Sequence, residues 1–178
     1  MRYVALLRGI NVGGANTVSM KELAAVFEGA GLSGVRTYIN SGNVIFSSDI
    51  ADRAELVASL QRGMADTFGL KLDVLLRDVA EMTALVEAIP AEWSNGDREK
   101  TDVFFLWPDL DRPTIADELG ARPGIDDVRY VPGAVVRRVD RADAPKSGLL
   151  GLIGKPLYKR MTIRNVNTTR KLLELMKG

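Results

Sequence analysis

The order of hydrophobic patterns in the first 76 residues constrains the fold more than any other feature of this chain. Tyr3 to Leu7 is an unbroken apolar run, as expected for a strand that is central or covered on both faces. Ser19 and, three residues on, Glu22 make a capping-box pattern; Met20, Leu23, Ala24 and Phe27 then mark one helical face, which Gly29 and Gly31 end. Val35–Ile39 and Val44–Phe46 read as strands joined by Asn40-Ser41-Gly42-Asn43, which is turn chemistry for a hairpin. Leu56, Leu60, Met64 and Phe68 recur every four residues and predict a second helix, capped by Asp49 or Asp52. Leu72–Leu76 supplies a fourth strand. Strand, helix, hairpin, helix, strand is the split βαβ, ferredoxin-like arrangement: an antiparallel sheet with both helices on one face.

The second half echoes the first. Asp78 opens an amphipathic helix that Pro90 stops, and residues 91–100 read as a linker or loop. A strand at Val103–Trp107 leads to a short helix opened by Pro113-Thr114-Ile115. Val128–Val131 and Val135-Val136 then flank Pro132-Gly133 as another hairpin, parallel to Val35–Tyr38 with Gly42–Ile45. The expected fold class is therefore α+β, with two ferredoxin-like units in tandem. They divide as residues 1–90, the first unit with a linking helix, and residues 91–178, ending in a basic helix. A single larger α+β domain with a coincidental second hairpin is the alternative. The last helix is expected over Thr169–Lys177, capped by Asn167 or Thr168.

Two absences narrow the chemistry. With no cysteine, disulfides, thiolate nucleophiles and cysteine metal sites are excluded. With no histidine, Ser-His and Cys-His catalysis and imidazole ligation go too. Any enzyme here must use carboxylates, Lys, Arg, Tyr, hydroxyls or a cofactor, and the scattered acids form no pair whose spacing compels proximity. No cofactor is identified. No apolar run has the length of a membrane span and no secretory core precedes the first strand, so a cytoplasmic protein without a membrane partner is expected.

Charge is unevenly spread. From Arg137 to Gly178, eleven Lys and Arg face three acids, a net of +8; the preceding residues carry thirteen bases and twenty acids, a net of −7. A basic end on an acidic body suits phosphate-bearing partners, or the basic segment docks on the acidic body.

Several motifs fail on context. Gly29 to Gly34 fits the letters of a dinucleotide fingerprint but follows a helix and precedes a strand, the reverse of what pyrophosphate binding needs. Gly9 to Gly14 has the right position, yet Asn11 stands where the close-approach glycine belongs. Tyr38 and Tyr130 could serve a nucleic-acid-binding sheet, but the signature of such sheets is absent. Two polar segments remain. The Gly9–Gly14 loop, with Arg8 at its start and Asn11, Gly13 and Gly14 within it, can bring backbone N–H groups close to an anion, or be a long turn. Arg164-Asn165-Val166-Asn167-Thr168 offers a guanidinium, two amides and a hydroxyl beside a helix start, for an oxyanion or for capping.

The run Tyr3-Val4-Ala5-Leu6-Leu7-Arg8-Gly9-Ile10-Asn11-Val12-Gly13-Gly14 closely resembles the opening of the bacterial family called domain of unknown function 1697. The resemblance continues through Met20–Leu23 and Thr37–Val44 and ends with Met161–Thr168; Ala91 to Asp143 match only loosely. It implies no activity, because the family has none established. Its signature residues fall on Arg8, Asn11, Gly13, Gly14, Asn40, Ser41, Asn43, Arg164, Asn165, Asn167 and Thr168. Where many relatives have a basic residue after the double glycine, this chain has Ala15-Asn16-Thr17.

Three functional expectations follow. The first is binding of an anionic ligand, a nucleotide or nucleic acid, by the Gly9–Gly14 loop, the Asn40–Asn43 turn with Tyr38, and the Arg164–Thr168 segment. The second is an enzyme on a small phosphorylated substrate, with Arg8 and Arg164 stabilising charge. The third is an interaction protein in which the same residues clasp the two halves. Oligomeric state is left open.

Overall fold

The computed structural model describes residues 1–14 and 16–178. The first 78 residues run as β1 (Arg2–Leu7), α1 (Met20–Gly29), β2 (Ser33–Tyr38), β3 (Asn43–Ser47), α2 (Arg53–Phe68) and β4 (Val74–Asp78). The strands form one sheet in the order β2-β3-β1-β4, every neighbour antiparallel. Ser19 accepts from Glu22 N–H at 3.4 Å and caps α1; Asp52, not Asp49, caps α2 by accepting from Ala54 and Glu55. Tyr3, Ala5, Leu7, Val44, Phe46 and Val74 pack with Leu23, Phe27, Leu56, Leu60 and Met64, so both helices cover one sheet face. Phe27 meets Phe46 edge-on, with centroids 5.3 Å apart. Val4, Leu6, Ile45 and Leu75, on the other face, are buried as well, so β1 is covered on both faces as its unbroken apolar run predicts.

α3 (Val79–Ala88) follows, then β5 (Glu99–Leu106), α4 (Ile115–Glu118), β6 (Asp126–Val131), β7 (Ala134–Asp140), β8 (Met161–Asn165) and α5 (Val166–Lys177). The second sheet has the order β6-β7-β5-β8, the same topology as the first. The tandem ferredoxin-like reading therefore holds. The chain divides into unit 1, Met1–Ala80 with Glu174–Gly178, and unit 2, Glu81–Leu173.

Three expectations change. β5 begins at Glu99 rather than Val103, because its ladder with β7 extends to the Glu99–Asp140 pair. The stretch expected only to lead into the last helix contains a strand, β8, paired with β5 from Asp102–Asn165 to Leu106–Met161. α5 consequently starts at Val166, and Asn167 and Thr168 lie within its first turn. The cap is Asn165, whose Oδ1 accepts from Thr168 N–H at 2.8 Å.

Unit 2 has no long helix where unit 1 has α2. Pro145, Gly148, Gly151, Gly154 and Pro156 break the helical ladder, and three 3₁₀ turns, Ala144–Lys146, Gly148–Leu152 and Pro156–Arg160, take its place. Leu149 and Leu152 from this path pack on Phe104, Leu106, Val135 and Met161. Asp126 pins the path: it accepts from Ser147 Oγ (2.5 Å), Gly148 N–H (2.9 Å) and Arg122 N–H (2.9 Å). Burial pushes the Asp126 carboxyl up, but these three hydrogen bonds and nearby Arg137 outweigh it and hold the group below the usual carboxylate range.

A lowered folded-state value means that the contribution of Asp126 is complete above about pH 5 and is lost as pH falls through the folded value. Asp126→Asn should lower stability at pH 7 by about 1–3 kcal/mol, because an amide N–H then faces a donor. The loss between pH 7 and pH 3 should also be smaller than in the wild type. Urea midpoints at the two pH values check this; an unchanged acid loss in the variant would remove Asp126 from the acid response.

Candidate functional site

The chain leaves β1 under tight control. Leu7 N–H donates to Gly42 O (2.8 Å) and Arg8 N–H to Asp73 O (3.1 Å), so the strand exit is held between the β2–β3 turn and the approach to β4. Gly42 is required there. Its φ is +73°, and a Cβ would fall 2.8 Å from both Leu7 Cβ and Ile10 Cδ1. Ile10 is buried beneath the turn.

Beyond Ile10, the loop closes on itself through Asn11 and Asn16. Asn11 N–H donates to Asn16 O (3.2 Å), and Asn16 Nδ2 donates to Gly9 O (3.0 Å). The Asn11 side chain then does two jobs. It accepts from Val18 N–H (2.8 Å) and donates to Val18 O (3.0 Å), closing the loop ahead of α1; it also donates to Asn40 O (2.9 Å), tying the loop to the turn. In the turn, Asn43 Nδ2 donates to Tyr38 O (3.0 Å) and Ser41 Oγ (2.9 Å) while fully buried. Tyr38 ends β2, half-buried and paired with Asn43.

The sequence-derived residues Arg8, Asn11, Gly13, Gly14, Tyr38, Asn40, Ser41 and Asn43 thus lie on the connected loops at one end of unit 1. Ala15 lies outside the described residues. Gly9, Gly13 and Gly14 are exposed, and Arg8 is half-buried. Arg8 is the one charged residue in positions 7–20 and 39–43. The backbone here is unusual. Among the described residues, the non-glycine positions with positive φ are Asn11 (+53°), Asn16 (+49°) and Ile39 (+49°), and all three lie in these two loops with Gly9, Gly13, Gly14 and Gly42.

The remaining sequence-derived residues belong to unit 2. Arg164 sits on β8, buried, with Nη1 donating to Thr162 Oγ1 (3.0 Å) and Ile163 O (2.8 Å); burial pushes its guanidinium down to about 10. Asn165 caps α5 as described. Asn167 Nδ2 donates to Asn95 O (2.9 Å), and Arg170 reaches Trp93 O and Pro90 O, so the start of α5 is laced to residues 90–95. Thr168 is buried in the first turn of that helix.

A relation that sequence reasoning missed links the units. Val4 in β1 pairs with Ile45 and Arg77; Val103 in β5 pairs with Val136 and Arg164. Arg77 and Arg164 therefore hold equivalent places in the two sheets. Each donates Nη1 to the carbonyl of the residue before it, at 3.0 Å for Arg77 and 2.8 Å for Arg164. The signal was available as Leu76-Arg77-Asp78-Val79 against Ile163-Arg164-Asn165-Val166.

Chemically, the unit 1 loops present exposed glycine backbone and one cation, Arg8, while the Asn11 and Asn43 amides are engaged within the loops. No group of three or more His, Cys, Asp or Glu that could hold a metal occurs among the described residues, and none of their helices is long and apolar enough to cross a membrane.

Comparison with known proteins points one way. The chain is similar over 98% of its length, at 32% identity and a TM-score of 0.81, to the solved structure of a conserved bacterial protein from Streptococcus pneumoniae, of which it covers 98%. No curated protein matches it in sequence. The profile of the family described as "Protein of unknown function (DUF1697)" matches residues 1–136. With three quarters of the chain under that profile and both tandem sheets in place, the protein belongs to the DUF1697 family.

Proposed function

We propose that the loop end of unit 1 binds an anionic ligand, a nucleotide or nucleic acid. The observation that carries this reading is the concentration of left-handed non-glycine backbone in the Gly9–Val18 loop and the β2–β3 turn, which Asn11 fastens together. Such backbone costs free energy and persists where the surroundings over-determine it, and it gathers at ligand sites. Here it surrounds exposed glycines, with Arg8 at the loop's base. The Arg164–Thr168 segment lies in unit 2, where Arg164 donates to Thr162 and Ile163 and Asn165 caps α5.

A thermal-shift screen with nucleotides, sugar phosphates and short oligonucleotides at low and high salt tests the reading. Ligand at about 100 times Kd should stabilise the native state by roughly 2.7 kcal/mol, or about 5–10 °C for a chain of this size. Arg8→Gln should remove most of that shift. A steep salt dependence would identify nucleic acid and a shallow one a small ligand. No shift with any of these compounds would defeat the proposal in favour of a structural role, in which Asn11 and Asn43 act only on the backbone groups they already satisfy.

A further inference from the structure

Ile39 is at odds with its own backbone. A β-branched side chain at φ +49° crowds the following carbonyl, and glycine or asparagine occupies the other left-handed positions of this loop pair. Burial does not offset the cost, because Ile39 is 50% exposed. Val12, 67% exposed, is the other large exposed apolar residue of the pair. Each of the two sits one residue from the hydrogen bond between Asn11 and Asn40. Two large aliphatic residues are thus exposed on a pair of loops that Asn11 fastens together and that also carry exposed glycines and Arg8.

We infer that Val12 and Ile39 form an aliphatic shelf for the base of a mononucleotide whose phosphate is held by the glycine loop and Arg8. This rests on the anionic-ligand reading above and narrows it. Inorganic phosphate would use the glycines and leave the shelf empty. A nucleic-acid strand needs a track of cations along its backbone, and this loop pair carries one, Arg8. A single nucleotide matches one charge beside one apolar shelf.

The test is calorimetric titration of the full chain with the four ribonucleoside monophosphates, ribose 5-phosphate and an oligothymidylate. At least one monophosphate should bind about tenfold more tightly than ribose 5-phosphate, which has the same phosphate and no base. Ile39→Asn, which suits the left-handed backbone, should raise the melting temperature of the free protein by about 3 °C. The same variant should weaken that nucleotide about tenfold and leave ribose 5-phosphate unaffected. Ile39→Val should retain nucleotide binding, and Val12→Ser should weaken it without loss of fold. Equal affinity for nucleotides and ribose 5-phosphate overturns the shelf while leaving an anion site. So does unchanged nucleotide affinity in Ile39→Asn or Val12→Ser. A lower melting temperature in Ile39→Asn would show that Ile39 is packed rather than strained, and would also overturn it. An oligothymidylate that binds far more tightly than any monophosphate replaces the nucleotide with a strand. Silence towards every phosphate compound overturns the ligand reading itself.

Discussion

Gly148→Ala should lower the stability of the protein by about 3 kcal/mol or more, equivalent to roughly 6–12 °C in melting temperature. A Cβ at Gly148 would lie 1.9 Å from the carbonyl oxygen of Gly120, 3.0 Å from its carbon and 3.2 Å from Arg122 N. All three are backbone atoms, so no rotamer change can relieve the clash. Either the 120–122 segment or the 3₁₀ path must shift. Moving the path would draw Gly148 N–H away from Asp126 and Leu149 and Leu152 out of the core of unit 2. Gly151→Ala is the matched control: it lies three residues away, nothing stands within 4 Å of its Cβ position, and its effect should stay within about 0.5 kcal/mol. Urea unfolding of the two variants separates the cases. Near-equal midpoints would mean that the approach of Gly148 to Gly120 is not a constraint on the fold.

Asn11→Ala should cost about 2–4 kcal/mol, and it should act on unit 1. The substitution removes three hydrogen bonds to backbone groups and leaves an alanine at φ +53°. Val18 is buried, so its N–H and C=O lose partners that water does not readily replace. Asn11→Gly divides the cost. Glycine makes none of the side-chain bonds but accepts the backbone angle, so it should be about 1 kcal/mol more stable than the alanine variant. Chemical denaturation of the two variants measures both parts, and equal stabilities would show that the left-handed backbone carries no strain at this position. Both variants should also lose the ligand-induced thermal shift, since the loop would no longer be fixed to the Asn40 turn.

The first unit was legible because its signals are local and agree with one another. Leu56, Leu60 and Met64 are buried as their four-residue spacing predicts, and Ser19 caps α1 where the capping pattern puts it. The second unit was harder to read because its equivalents are short or non-local. β8 is five residues long, interrupted by a buried arginine, and defined by a partner strand some sixty residues earlier. Its polar outline, Thr162-Ile163-Arg164-Asn165, resembles a loop until β5 is beside it. The helix start moved for the same reason: once Asn165 ends a strand, it is the residue placed to cap Val166 onward. At the candidate site, the sequence marked two loops that the structure shows fastened together by Asn11, but not what each residue does there. Asn11 was singled out as a possible ligand contact, whereas the bonds it makes go to Val18 and Asn40. Ile39 escaped notice because a backbone angle leaves no trace in an apolar letter.

The strand order of unit 2 has a consequence for how the protein is made. β5 is central, flanked by β7 and β8, and carries the run Val103-Phe104-Phe105-Leu106. Its partner on one side, β8, lies within the last 18 residues of the chain. At about 5–20 residues per second, several seconds of synthesis separate the two strands. For that interval a four-residue apolar edge stands open in the nascent chain, with no long helix between the two strands to cover it. Unit 1 completes its sheet at β4, before β5 is begun, so the hazard of wrong pairing falls on the second half of the protein.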